Sequence, residues 1–279
     1  MSDEPRTADR RPVRFEVNAD GVATVWLSRP HRKNAWTGRM HAEYRSVMAT
    51  LDADPAVRVA VVTGEGDAFC VGGDSDALAG HAERGSYDSG LPAEAATPGQ
   101  GVRPAWDGEF VWHYGLHFPV IAAVNGACAG VGLALVCFHD LRFAAATAKL
   151  TTAAPKLGLP AEYGLSWTLP RFVGVTRAAD LLLSGRIVTA AEVADWGLFN
   201  EVVPVDELMP LVLAYATNLA RHVSPASITA TKRQMYDDLL RHDPGQSVAD
   251  SLRLINEMTA GPDYREGVSA LREKRTPHF

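Results

Sequence analysis

The sequence predicts an α/β core followed by a wholly helical C-terminal region, on three observations. Dense β-branched runs alternate with helically spaced apolar residues as far as Pro204. Two glycine-rich turns, around Gly72-Gly73 and Gly130-Val131-Gly132, each follow a strand-like run. Beyond Pro204 the strand-like runs stop and only helical spacing continues.

In chain order, residues 1–12 are charged and proline-containing and read as a disordered N-terminal tail, not a signal peptide. Residues 13–17 and 22–28 are two β-rich runs joined by Asn18-Ala19-Asp20-Gly21, a hairpin signal. Met40, Tyr44, Val47, Met48 and Leu51 recur at helical spacing, with Pro55 just beyond. Residues 57–63, 120–124 and 141–145 are further strands. Between Gly80 and Gly108 the pattern dissolves into small, polar and charged residues, so residues 80–110 are expected to form a lid loop. Leu208, Leu211, Val212, Tyr215 and Leu219 line one C-terminal helix. Ser224-Pro225 is an N-cap with proline at the first helical position, opening a second helix, and Val248, Leu252, Ile255 and Met258 mark a third. The chain thus divides into a tail (1–12), an α/β core (13–204) and a helical region (205–279).

Composition narrows the function. With 47% hydrophobic and 22% charged residues over 279 positions, the chain has apolar material for a substantial core. A net charge of −6 gives no global attraction to nucleic acid or anionic lipid. Three scattered cysteines, Cys70, Cys128 and Cys137, fit neither a disulfide framework nor a zinc knuckle, and read as reduced, buried thiols of a cytoplasmic protein. The apolar run 116–138 holds Pro119, Asn125, Gly126, Gly130 and Gly132, so a strand, a turn and a buried helix explain it better than a membrane span.

Phe69-Cys70-Val71-Gly72-Gly73-Asp74 follows a strand, and its paired glycines let the backbone approach a ligand with N–H groups outward. Asn125-Gly126-Ala127-Cys128-Ala129-Gly130-Val131-Gly132 opens an apolar helix whose free N–H groups suit an anion or a developing oxyanion. Either alone reads equally as a tight strand-to-helix turn. Together they suggest two N–H donors converging on one oxygen, as an oxyanion hole requires. Glu162 lies in a mostly apolar stretch and is either a desolvated, proton-relaying carboxylate or a solvated loop acid. Asp74 reads as a ligand contact or a helix N-cap. Other chemistries fit poorly. The glycine order is not that of a dinucleotide site, and Thr168 stands where a nucleophile elbow after Gly164-Leu165-Ser166 needs glycine. His113 and His117 lack a partner acid for zinc and are expected to be loop or interface histidines; no metal site is expected.

In this order the elements resemble the enoyl-CoA hydratase/isomerase (crotonase) superfamily over nearly the whole chain. Arg29-Pro30-His31-Arg32-Lys33-Asn34-Ala35 looks like its first signature, and the two glycine turns like its oxyanion-hole segments. Ser166-Trp167-Thr168-Leu169-Pro170-Arg171, then Leu183-Ser184-Gly185-Arg186 with Ala191-Glu192 and Gly197-Leu198, complete five motifs in register. The resemblance implies a spiral of β-β-α turns with a C-terminal helical trimerisation region, assembled as a homotrimer or as a hexamer that is a dimer of trimers. It implies an acyl-CoA thioester substrate and no separate cofactor, because coenzyme A is part of the substrate; the acidic balance and the lack of a basic run or membrane span argue against a nucleic-acid or membrane partner. The oxyanion donors would be the N–H groups of Gly73 and Val131, with valine in place of the family's usual glycine. His31, Arg32, Lys33 and Ala35 would form the CoA mouth, Val71 would meet the adenine, and Gly72, Asp74 and Gly130 would lie against substrate.

The departures define the expected reaction. Counted from the shared Asp140, the two glutamates that hold water in typical hydratases fall on Ala134 and Ala154, which neither accept a proton nor orient water. Glu162 falls where the resembling Δ3,Δ2-enoyl-CoA isomerases carry their catalytic glutamate. The expectation is therefore an enzyme that stabilises a thioester enolate and shifts a double bond with Glu162 as acid and base. Enoyl-CoA hydration is the alternative, with Asp107 and Glu109 of the lid as the nearest extra acids. A non-catalytic CoA-ester or RNA-binding protein on the same fold is the reading from another class.

Overall fold

The computed structural model describes residues 11–92, 95, 97–99, 106–241 and 243–279. Most of the proposed tail, and positions 93, 94, 96 and 100–105 of the proposed lid, lie outside the described residues.

The β-branched runs become the strands of one six-stranded sheet. β1 (Val13–Val17) and β2 (Val22–Leu27) form the antiparallel hairpin. β3 (Val59–Gly64), β5 (Val120–Val124), β7 (Leu141–Ala145) and β10 (Glu201–Val203) add in parallel, giving the order β1-β2-β3-β5-β7-β10. β3 and β5 are buried along their whole length, which is why they read as continuous apolar runs without alternation.

Three of these strands turn a corner and continue in a second sheet. β3 leads to β4 (Ala68–Cys70), β5 to β6 (Ala127–Ala129) and β7 to β8 (Lys149–Thr151); with β9 (Val188–Thr189) they form a four-stranded sheet. β4 and β6 are followed by α2 (Ser75–Arg84) and α3 (Val131–Phe138), after α1 (Gly38–Ala53) has crossed from β2 to β3. This repeated strand, strand, helix order is the expected spiral.

The corners explain the asparagine before the second glycine turn. Asn125 Nδ2 donates to the carbonyls of Gly64 and Gly66 at 3.0 and 2.9 Å, and its Oδ1 accepts from the Gly64 N–H at 3.1 Å. One side chain so ties the β5 corner to the β3 corner. At Gly126 a Cβ would lie 2.0 Å from the Asp67 carbonyl oxygen, so the next corner closes only with glycine.

The core region ends with α4 (Leu165–Val173), α5 (Val175–Ser184), β9 and β10, and the C-terminal region holds α6 (Val205–His222), α7 (Pro225–Asp238), α8 (Pro244–Met258) and α9 (Pro262–Glu273). α9 lies within the expected helical region, where no apolar spacing marked it as a separate helix. Asp140 pins α7 to the sheet: it accepts from Lys232 Nζ at 2.7 Å, Tyr236 Oη at 2.8 Å and the Val120 N–H at 2.7 Å.

Two expectations need correction. Residues 80–84 are the last turns of α2, so the loop begins only at Gly85. His113 is neither a loop nor an interface residue: it is buried, with Nε2 2.8 Å from Tyr44 Oη, and burial lowers its pKa to about 3. His117 is bound to Asp52 at 2.9 Å. All three cysteines are free and buried. Among the described residues no helix is long and apolar enough to cross a membrane, and no cluster of ligands suits a metal ion.

Candidate active site

The first signature runs beside the first glycine turn. The Trp36 N–H donates to the Gly72 carbonyl at 2.8 Å and the Asp74 N–H to the Trp36 carbonyl at 2.9 Å, so Trp36 and Gly73 pair as one parallel bridge. That pattern leaves the Gly73 N–H outside the ladder, and among the described residues it has no hydrogen-bond partner.

The second donor arises at a helix start. Val131 is the first residue of α3, where N–H groups lack an intrahelical acceptor. The unusual backbone falls on Gly130, at φ 49° and ψ −120°, and Val131 keeps ordinary helical geometry. Valine is accommodated because its neighbour takes the strained conformation.

Gly73, Val131 and Glu162 all line one cavity of about 240 Å³. Glu162 Oε2 lies against Gly130, and no donor among the described residues reaches the carboxylate. Burial pushes its pKa above that of an ordinary glutamate. Glu162 is half-buried, which is nearer the desolvated reading than that of a fully solvated loop acid.

Asp74 does not line the cavity. It is buried, its Oδ1 accepts from the Asp76 N–H at 3.0 Å as the N-cap of α2, and it takes Arg32 at 3.1 Å and Arg29 at 3.0 Å. Burial alone would raise its pKa; hydrogen bonds from Arg32, the Asp76 N–H and Arg29 outweigh burial and hold it below the usual carboxylate range. Arg32 is thereby engaged with Asp74 as well as with Ser75 and Asp76. His31 and Lys33 are exposed beside it, Ala35 is buried, and the half-buried Val71 donates its N–H to the Lys33 carbonyl at 3.3 Å. Gly72 is buried at φ 98°, with Ala129 against it. None of His31, Arg32, Lys33, Ala35, Val71, Gly72 and Gly130 lines the cavity.

Ala134 and Ala154 are buried and outside the cavity. The lid acids are also elsewhere. Asp107 is bonded to Thr97 and lies 3.4 Å from Arg45, while Glu109 Oε2 sits 3.2 Å from His41 Nε2. Trp36, Leu78, His81, Tyr87 and Tyr163, none singled out by the sequence, do line the cavity. Tyr163 was adjacent to Glu162, and that proximity was the one available signal.

Comparison with known proteins gives the family and the fold. The family described as Enoyl-CoA hydratase/isomerase matches residues 17–279. A probable enoyl-CoA hydratase of Rhodobacter capsulatus is 34% identical over 96% of this chain and 97% of its own. The 1,2-epoxyphenylacetyl-CoA isomerase of Escherichia coli is 32% identical over 93% and 95%. The crystal structure of a probable enoyl-CoA hydratase/isomerase from Mycobacterium abscessus superposes with a TM-score of 0.82 at 31% identity, covering 96% of this chain and 98% of that one. Two mixed sheets, C-terminal helices, and a family match over almost the whole chain identify the protein as an acyl-CoA enzyme of the enoyl-CoA hydratase/isomerase (crotonase) superfamily.

Proposed function

We propose that the enzyme moves a double bond in an enoyl-CoA thioester, from C3=C4 to C2=C3, with Glu162 as the single acid and base. The thioester oxygen accepts hydrogen bonds from the N–H groups of Gly73 and Val131. Charge that develops on this oxygen as the α-proton leaves is held there, and one such donor is worth about two to three powers of ten in rate. Glu162 takes the proton from C2, the electron pair delocalises over C1 to C4, and the same carboxyl returns a proton to C4. A carboxylate whose pKa is raised by burial is a stronger base than one in water, and its conjugate acid returns the proton readily near neutrality.

The observation that carries this reading is Glu162 itself: a partly desolvated carboxylate lining one cavity with the N–H groups of Gly73 and Val131, none of the three with a hydrogen-bond partner among the described residues. CoA binding is assigned to the approach formed by His31, Arg32 and Lys33, with Val71 against the adenine.

Hydration of a 2-enoyl-CoA is the second reading, favoured by the name of the Rhodobacter relative. It needs a second positioned group to orient water. Asp76 and Asp88 also line the cavity, but both are exposed; Asp76 is paired with Arg32 and Asp88 accepts from the Gly90 N–H. The test is turnover of matched 3-enoyl- and 2-enoyl-CoA esters by the wild type and Glu162→Gln. Isomerisation of the 3-enoyl ester should predominate and fall by orders of magnitude in the variant, while acyl-CoA affinity barely changes. Efficient hydration with little isomerisation would overturn the reading.

A further inference from the structure

Five rings form an unbroken run beside the cavity. Trp36 meets Phe110 at 5.8 Å between centroids, Phe110 meets Tyr163 at 5.2 Å, Tyr163 meets Tyr87 at 6.3 Å, and Tyr87 meets His81 at 5.0 Å. These are the separations of edge-to-face and tilted aromatic pairs. All except Phe110 line the cavity that holds Glu162 and Val131.

Core packing accounts for the inner end of the run, where Phe110 and Trp36 are 1% and 5% exposed. It does not account for the outer end. Tyr87 is 62% exposed, so its ring gains little from burial where it stands. Tyr163 is held at φ 44°, a left-handed backbone that is uncommon for a bulky side chain and concentrates at functional positions. Among the described residues the aliphatic share of the lining is small: Ala77, Leu78 and Val131. A wall built this way offers ring faces and edges to a ligand rather than a tube of methyl groups.

We infer that the acyl group taken by this cavity carries an aromatic ring, so that the substrate class is an aryl-substituted enoyl-CoA thioester with the ring against Tyr163 and Tyr87. Size agrees. An apolar hole of about 150 Å³ takes a benzene molecule, so the 240 Å³ here accommodates one ring and the short chain joining it to the thioester. Such a ring gains offset or edge-on contacts that a linear chain of similar area does not make. The reaction is unchanged: the C2–H bond breaks, the proton passes through Glu162 to C4, and no electrons are gained or lost. Only the turnover part of the inference rests on the isomerase reading.

The test pairs binding with turnover on the full chain. Calorimetry compares the unreactive 5-phenylpentanoyl-CoA with octanoyl-CoA, and kinetics compares 5-phenylpent-3-enoyl-CoA with oct-3-enoyl-CoA. The aryl ester should bind, and turn over by kcat/KM, at least tenfold better. In Tyr87→Leu, a change at an exposed position, that preference should shrink several-fold. Tighter aryl binding without isomerisation of either ester would sink the isomerase reading and keep this one. Equal or better binding of the octanoyl ester, or an aryl preference untouched by Tyr87→Leu, overturns the inference whatever the turnover.

Discussion

Gly130 and Glu162 compete for the same space: a Cβ on Gly130 would lie 3.0 Å from Oε2 of Glu162. The residue that turns the chain into α3 therefore also leaves room for the carboxylate. Gly130→Ala should act twice, by straining a backbone at φ 49° and by pushing Glu162 from its place in the cavity that Val131 also lines. Turnover of a 3-enoyl-CoA should fall about a hundredfold or more, the scale of one lost oxyanion donor. A variant that retains near-full kcat would mean that neither the turn nor the carboxylate is where catalysis needs it.

Glu162 also makes a pH prediction. Its folded pKa lies above the ordinary 4.5 because burial disfavours the charged form. The base must be ionised, so kcat/KM should rise with pH through that elevated pKa. The stability linkage follows the same shift: the favourable contribution is present below the unfolded pKa and is lost as pH rises through the folded one. Glu162→Gln should then melt about 1–3 °C higher than wild type at pH 7, with the gain vanishing near pH 4. Equal melting temperatures at both pH values would show that Glu162 is not desolvated in solution.

Asp74 should behave in the opposite sense. Its pKa is held below the ordinary 3.8, so its stabilisation is present above that value and is lost as pH falls through the folded pKa. Asp74→Asn leaves Arg29 and Arg32 without their shared carboxylate and should lower the melting temperature by a few degrees at pH 7. The deficit should close as the pH drops below about 4. Its effect on kcat should be far smaller than that of Glu162→Gln, because Asp74 does not line the cavity. Comparable losses of kcat in the two variants would contradict the separation of roles.

The parts of the fold legible in the sequence were those that repeat. β3 and β5 carry runs of apolar residues, many of them β-branched, and α6 and α7 open with proline-marked starts. The strands β4, β6 and β8 have three residues each, too few for a periodic signal, and their pairing across the small sheet is set by the corners at Gly64 and Gly126. α9 begins after Gly261 and has few apolar residues to report a face. That Gly73, Val131 and Glu162 line one cavity follows from the two glycine turns and the apolar stretch around Glu162, both visible in the sequence. The ring wall was not. Trp36 and Phe110 are separated by 74 positions, and their contact depends on the lid's return over α1. The φ of 44° that sets Tyr163 beside Tyr87 is likewise a product of tertiary packing, with no residue preference to announce it.

The last prediction concerns assembly. On α8, Val248, Leu252 and Ile255 fall at i, i+4 and i+7 on one face and are 59%, 62% and 58% exposed. Hollows of about 660 and 530 Å³ lie on α7 to α9, larger than the cavity at Glu162 and lined by none of the candidate catalytic residues. An apolar helix face left open beside such hollows is what a closed symmetric assembly would cover. We predict a trimer, or two trimers back to back, that sediments at three or six times the 30.0 kDa chain mass. Leu252→Glu would place a charge on the covered face and should shift the protein toward monomer. If the wild type sediments as a stable 30.0 kDa monomer at micromolar concentration, the α8 face has another purpose and the prediction is wrong.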